Sequence, residues 1–273
     1  MLPAAFVNLP AQQLESRMSA ASLEVWSMPT RSAFEIVPRR ATVLLFTWAA
    51  GSVDAIMYLS GHVFTANMTG NAVLLGISSG QLKSIAAERS LIALIAFIAG
   101  VLLGAVVVGE GHQARTWKAV RRAVLVETVI LAMFCGLCFA PGTETRTVMN
   151  LMIGLSGLAM GLQSAAVRGL SLPGIATTYI TGTITSLFSG LVHRWFPSTG
   201  SGQPQKDEGL HDPEHSLSLQ AEVFLAYALA ALVTAALRAS FPSAVALLPV
   251  GSVAAIALSM SIRQAVPAVS DQS

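Results

Sequence analysis

Read for its apolar and polar stretches, the chain resolves into eight apolar runs of membrane length, at about 41–60, 63–80, 90–109, 123–140, 147–167, 175–193, 220–240 and 244–262. Apolar residues occupy every side of each run instead of alternating with a period of two, which predicts helices and not barrel strands. Charged residues mark gaps at 83–89, 110–122 and 144–146. One long hydrophilic insert, 194–219, is rich in Ser, Gly, Pro, Asp and His and reads as a solvated loop inside one domain. The expected organisation is a mobile leader over 1–38, a single transmembrane domain over 39–265 and a tail over 266–273.

Two of the runs carry hydroxyls and amides. Residues 63–71 read VFTANMTGN and residues 175–183 read IATTYITGT. A shift of 112 residues places Thr65 on Thr177, Thr69 on Thr181, Gly70 on Gly182 and Leu75 on Leu187. Each block follows an apolar run and a short break, Ser60-Gly61-His62 in one and Leu172-Pro173-Gly174 in the other. The pattern predicts an internal repeat with halves 41–140 and 147–262.

Charge then bears on topology. If all eight runs cross, with the N-terminus inside, ten basic residues lie inside and six outside. If the two Thr-rich runs enter and return on one side, the count becomes twelve against four. The positive-inside tendency favours the second arrangement. The expected fold is therefore an all-α polytopic membrane protein of two inverted halves, each with three crossings and one interrupted, re-entrant helix. Eight simple crossings is the alternative. The N-terminus is expected in the cytoplasm.

Composition narrows the class. The chain is 53% hydrophobic and only 11% charged, with a mean hydropathy of +0.65, whereas a soluble domain carries about 25% charged residues. A formal net charge of +2 gives no reason to expect a nucleic-acid partner. The lipid bilayer and an unidentified small solute or ion are the expected partners, with a homo-oligomer as a further option, and no cofactor or metal is expected. The two cysteines, Cys135 and Cys138, sit inside an apolar run and form no secreted disulfide framework.

The blocks Gly51-Ser52-Val53-Asp54-Ala55, Gly61-His62-Val63-Phe64, Ala66-Asn67-Met68-Thr69-Gly70-Asn71 and Gly161-Leu162-Gln163-Ser164-Ala165-Ala166 resemble those of the YoaK-like membrane proteins, the domain of unknown function 1275 family. The stretch from Pro173-Gly174 through Thr177-Thr178-Tyr179-Ile180-Thr181-Gly182-Thr183 belongs with them, and the resemblance covers roughly 40–265. It implies a multi-pass protein of a bacterial inner or plasma membrane whose activity is not established. It supplies no catalytic residue.

Several side chains are candidates for chemistry. Asp54 lies within the first run, where a carboxylate costs about 2.5–3.5 kcal/mol unless it meets a partner or cavity. The repeat shift brings Arg168 close to Asp54 in register, which suggests a buried Asp54–Arg168 pair; the alternative is an Arg168 that snorkels to the interface. Asn67, Thr69, Asn71, Gln163, Thr178, Thr181 and Thr183 could line a solute or ion site, with Gly70 and Gly182 giving backbone freedom. The same groups could equally be interhelical hydrogen bonds. Glu127 fits an interfacial pair with Arg121 and Arg122 as well as a coupling role. Gly76-x-x-x-Gly80, Gly100-x-x-x-Gly104 and Gly157-x-x-x-Gly161 are spacings that permit close helix contact.

Three enzyme-like motifs count for less. Gly154-Leu155-Ser156-Gly157 lacks a histidine within the membrane, and the Cys135–Cys138 pair lacks a second pair to receive electrons. In His211-Asp212-Pro213-Glu214-His215, Pro213 disfavours helical pairing of the two histidines. The leading expectation is a non-enzymatic permease, transporter or channel-like protein for a small solute or ion. A non-transporting structural or regulatory membrane protein is the rival, and an intramembrane thiol oxidoreductase a distant third.

Overall fold

In hydrocarbon every backbone N–H and C=O must be satisfied within its own segment, so long apolar runs become helices. The structure, a computed structural model, describes residues 39–108, 113–169, 188 and 213–265, all within the unit Val37–Ser273. In chain order the elements are α1 (Arg39–Gly61), α2 (Met68–Gly80), α3 (Ser84–Val108), α4 (Gln113–Phe139), α5 (Arg146–Gly169), α6 (Pro213–Arg238), a short 3-10 turn (Ala244–Ala246) and α7 (Leu247–Ala265). Among the described residues, six helices are long and apolar enough to cross a membrane. The seventh, α2, has 13 residues and so spans about 20 Å, short of the ~30 Å hydrocarbon thickness. The chain is a multi-pass α-helical membrane protein.

One boundary differs from the sequence reading. Residues 213–219, expected in the hydrophilic loop, form the first turns of α6. Pro213 stands at the first helical position, where its missing N–H forfeits nothing. The leader 1–38, the tail 266–273, the rest of the insert and all but one residue of the second Thr-rich run lie outside the described residues.

Contacts at the helix ends sort them onto two faces. At the first face, Arg40 at the start of α1 is ion-paired with Glu222 and donates to Ser218 Oγ at 3.2 Å, both near the start of α6. At the second face, Arg238 at the end of α6 donates to Ser60 Oγ at 2.8 Å, near the end of α1. Helices α1 and α6 therefore run parallel. Also at the second face, Arg89 near the start of α3 donates to the Gly61 carbonyl at 3.3 Å. Arg146 at the start of α5 is ion-paired with Glu88, and Asn150 donates to the same carboxylate at 2.6 Å. Helices α3 and α5 thus start together at the second face and run parallel toward the first. It follows that α5 ends and α6 begins at one face.

These constraints decide how the first Thr-rich run lies. Helix α2 is joined to the end of α1 and to the start of α3, and both ends are at the second face. Residues 62–83 enter and leave by that face, so this run does not make the simple crossing required by eight spans. The hairpin is bounded by two residues in left-handed backbone conformation, His62 and Leu82, each at φ 56°. The Leu82 side chain is 90% exposed. Because that conformation costs a non-glycine residue about 1–2 kcal/mol, Leu82→Gly is expected to hold or raise the thermal midpoint. A clear fall would mean that Leu82 makes contacts beyond those described.

Close approach by glycine sets the rest of the packing. Helices α3 and α5 make the most extensive contact, followed by α1 and α6. A Cβ on Gly104 would lie 2.5 Å from Ala165 Cβ, and one on Gly157 would lie 3.2 Å from Ala93 O. On Gly100 or Gly161 it would overlap a carbonyl oxygen of the facing helix, Leu158 O or Phe97 O. Gly51 plays the same part between α1 and α6, where a Cβ would sit 2.5 Å from Tyr227 O. A Cβ on Gly76 or Gly80 of α2 would meet no atom of a described residue within 4 Å beyond the helix's own backbone. Of the three expected small-residue contacts, the spacings in α3 and α5 meet each other and that in α2 faces open surface.

Candidate functional site

Asp54 lies about two turns before the end of α1 and is 3% exposed. The hairpin folds down onto it. Asp54 Oδ1 accepts the backbone N–H groups of Thr65 at 2.6 Å and Ala66 at 2.7 Å. Its Oδ2 accepts from the Asn67 N–H at 3.1 Å and the Tyr227 hydroxyl of α6 at 2.5 Å. Three consecutive amides of a chain that has left its helix would otherwise be orphaned in an apolar interior, at about 1–3 kcal/mol each. The carboxylate satisfies them, and Tyr227 ties it to a second spanning helix. Gly51, one turn earlier, is what lets α6 come close enough for this bond.

The same economy shapes the rest of the hairpin. Asn67 caps α2, its Oδ1 accepting from Gly70 N–H at 3.3 Å. Asn71 is fully buried and closes a ring with Phe64, accepting its N–H at 3.0 Å and donating to its carbonyl at 2.5 Å. Phe64 stacks on Tyr58 of α1 with ring centroids 4.9 Å apart. A Cβ on Gly70 would lie 2.9 Å from the Phe64 ring, so glycine there serves close packing of the loop. Two hydroxyls, Ser52 Oγ and Thr65 Oγ1, are buried without a hydrogen-bond partner.

Beside the mouth of the hairpin, at the second face, lies a cavity of about 430 Å³ lined by Ser60, Arg89, Cys138, Glu144, Arg238 and Ser243 among others. Arg89 and Arg238 each donate to an oxygen at the end of α1, but among the described residues neither is in an ion pair. The Arg89 Nε–H is buried with no acceptor. Two guanidiniums facing one recess, against a single carboxylate, make it a place where an anion would be stabilised.

The sequence-derived candidates are therefore dispersed. Asp54, Asn67, Gly70 and Asn71 come together in the hairpin, whereas Thr69 on the first turn of α2 is exposed. Gln163 is fully buried in α5 and donates to the Phe46 carbonyl of α1 at 3.0 Å, apart from the hairpin bonds. Thr178, Thr181, Gly182 and Thr183 lie outside the described residues. The expected Asp54–Arg168 pair is not formed. Arg168 is exposed in the last turn of α5, at the first face, while the four donors on Asp54 hold it toward the second. About 20 Å of helix separates Asp54 from the first-face end of α1.

Glu127 does not pair with Arg121 or Arg122. It is fully buried, and among the described residues neither carboxyl oxygen has a partner. Ser156 of the GxSG motif is also fully buried and donates to the carbonyls of Met152 and Ile153 on its own helix. Cys135 and Cys138 are free thiols, the first buried and the second lining the cavity.

Sequence reasoning missed Tyr227 and the cavity arginines. A tyrosine hydroxyl inside an otherwise apolar run was the available signal for the first; Arg89 and Arg238 read only as end-markers of their runs.

A family model described as "Protein of unknown function (DUF1275)" matches residues 42–260. The chain is 40% identical over 159 residues to the UPF0700 transmembrane protein YoaK of Bacillus subtilis (strain 168), an alignment covering 58% of this chain and 69% of that one. No solved structure matches it.

Proposed function

We propose, from the premise that the chain belongs to the DUF1275 family, that it is a membrane permease for a small solute or ion, with an anion as the favoured cargo. The observation that carries this reading is the hairpin pinned at Asp54. A chain that dips part-way into the membrane and returns, beside a cavity on the face it enters, is the arrangement by which secondary transporters build a solute site at a helix break. The two arginines at the cavity wall, neither in an ion pair among the described residues, are what favour an anion.

Two inverted halves with alternating access belong to the same proposal. Exchanging the halves would carry the α3–α5 contact onto α6–α1 and leave α4–α7 paired with itself; α3–α5 and α1–α6 are the two most extensive helix contacts and both are parallel pairs. We place the first face in the cytoplasm. Arg39, Arg40, Arg115, Lys118, Arg121, Arg122, Arg168 and Arg263 fall at that face, against Lys83, Arg89, Arg146 and Arg238 at the other.

A second reading has an observation of its own. Asp54, Asn67 and Asn71 all direct their hydrogen bonds at the hairpin backbone, as they would in a non-transporting protein that organises lipids or partners. The test is flux. Purified protein in proteoliposomes is expected to carry at least one of inorganic phosphate, sulfate or a small carboxylate in a solid-supported-membrane current assay. The Arg89→Gln/Arg238→Gln variant should lose about tenfold or more of it, since each charge-assisted contact contributes about 1.5–3 kcal/mol. Folded, correctly inserted protein that moves neither these anions nor simple cations would favour the second reading.

A further inference from the structure

Glu127 is a carboxylic acid with no structural reason for its position. It lies near the middle of the span Lys118–Phe139, in the stripe of α4 whose other members Val120, Ala123, Val124, Leu131 and Phe134 are at most 0% exposed. Asp54, at similar burial, accepts four hydrogen bonds; among the described residues Glu127 accepts none, and both Oε1 and Oε2 are without a partner. Charged residues on the elements packed against α4 sit at helix ends. They are Glu88 and Arg89 early in α3, Arg146 and Arg168 at the two ends of α5, and Arg263 late in α7; the 3-10 turn has none. On α4 itself, Lys118 and Arg122 are exposed, and Arg121, half-buried with its Nε–H enclosed, makes no ion pair with Glu127.

Water is excluded and no partner replaces it, so an enclosed carboxylate would be left unsolvated and the uncharged acid is the form that fits this conformation. Even the acid leaves a donor and an acceptor unmade, where a leucine would pack without penalty. The arrangement makes sense if Glu127 spends part of its time elsewhere.

We propose that Glu127 is a proton-exchanging site in the membrane interior. It holds a proton in the enclosed conformation described here, and in a second conformation that admits water it releases that proton to solvent and becomes a carboxylate. Joined to the permease reading, on which this part rests, Glu127 is the group through which solute movement is coupled to a proton.

Infrared difference spectra of the full chain in lipid nanodiscs, recorded between acid and alkaline pH, test the site without reference to any solute. The expected result is a C=O stretching band of a carboxylic acid lacking hydrogen bonds. It should vanish on alkalinisation, be absent from Glu127→Gln, shift in Glu127→Asp and persist in Asp54→Asn. Should Glu127→Gln fail to fold, the shift in Glu127→Asp alone assigns the band. A Glu127 band that stays constant at every pH, or the absence of any such band at acid pH, overturns the proposal. A titrating band without flux in proteoliposomes would count against the permease and leave the site standing, and flux with a static band would do the reverse.

Discussion

Asp54→Ala is expected to release the hairpin and lower the unfolding free energy by roughly 3–6 kcal/mol, because it strands three buried amides at about 1–3 kcal/mol each. Removing one partner of a buried polar network costs far more than the network's net worth. The neighbouring substitutions should fall in a definite order. Asp54→Asn keeps an oxygen for Thr65 and Ala66 but turns an NH2 toward Asn67 N–H, so it should lose about half as much. Tyr227→Phe removes one hydrogen bond to a charged acceptor, worth about 1.5–3 kcal/mol. Thr65→Val removes a hydroxyl that has no partner and should change little. Thermal midpoints of detergent-solubilised variants, followed by size-exclusion of the folded fraction, give the order. Thr65→Val falling below Tyr227→Phe would contradict the clasp.

Gly161→Ala and Gly100→Ala are expected to be the second most damaging changes. In each case the new methyl would run into backbone, Phe97 O or Leu158 O, which cannot move aside as a flexible side chain can. Overpacking of this kind costs about 1–3 kcal/mol and sometimes more. The two glycines also face each other, each prospective Cβ lying 3.0 Å from the other's Cα. Their effects should therefore not add, since one separation of the helices accommodates both. Gly76→Ala is the counterpart: the spacing motif is the same, but nothing is near, and the gain in helix propensity of about 0.8–1 kcal/mol should stabilise α2. Equal effects at Gly76 and Gly161 would show that the α3–α5 seam is not as close as described.

What the sequence revealed, and what it hid, follows from the range of the interactions. Apolar runs gave the spanning helices, because burial along a helix is a local pattern. The same-face return of the first Thr-rich run followed from where Lys83, Arg89 and Arg146 sit relative to the other basic residues, a charge pattern also readable locally. The Asp54–Arg168 pairing failed because register in a repeat says nothing about depth. Helix α5 starts at the second face, where α1 ends, so Arg168 in its last turn lies at the face away from the Asp54 clasp. Asp54 was instead matched by backbone amides 11 to 13 residues downstream and by a hydroxyl 173 residues away, and backbone donors have no signature in the residue names. From sequence spacing Glu127 fitted an ion pair as well as a coupling role; the helical period places Arg121 and Arg122 on other faces of α4.

The path of residues 62–83 is the feature on which the rest depends, and sidedness of labelling measures it directly. Single cysteines at His62 and Ser84, in a background lacking Cys135 and Cys138, can be exposed to a membrane-impermeant maleimide in vesicles of either orientation, with Ser218→Cys as the reference for the opposite face. Modification of positions 62 and 84 from one side, and of position 218 from the other, is the predicted result. Modification of 62 and 84 from opposite sides would mean that this segment crosses the membrane, and the account would be wrong.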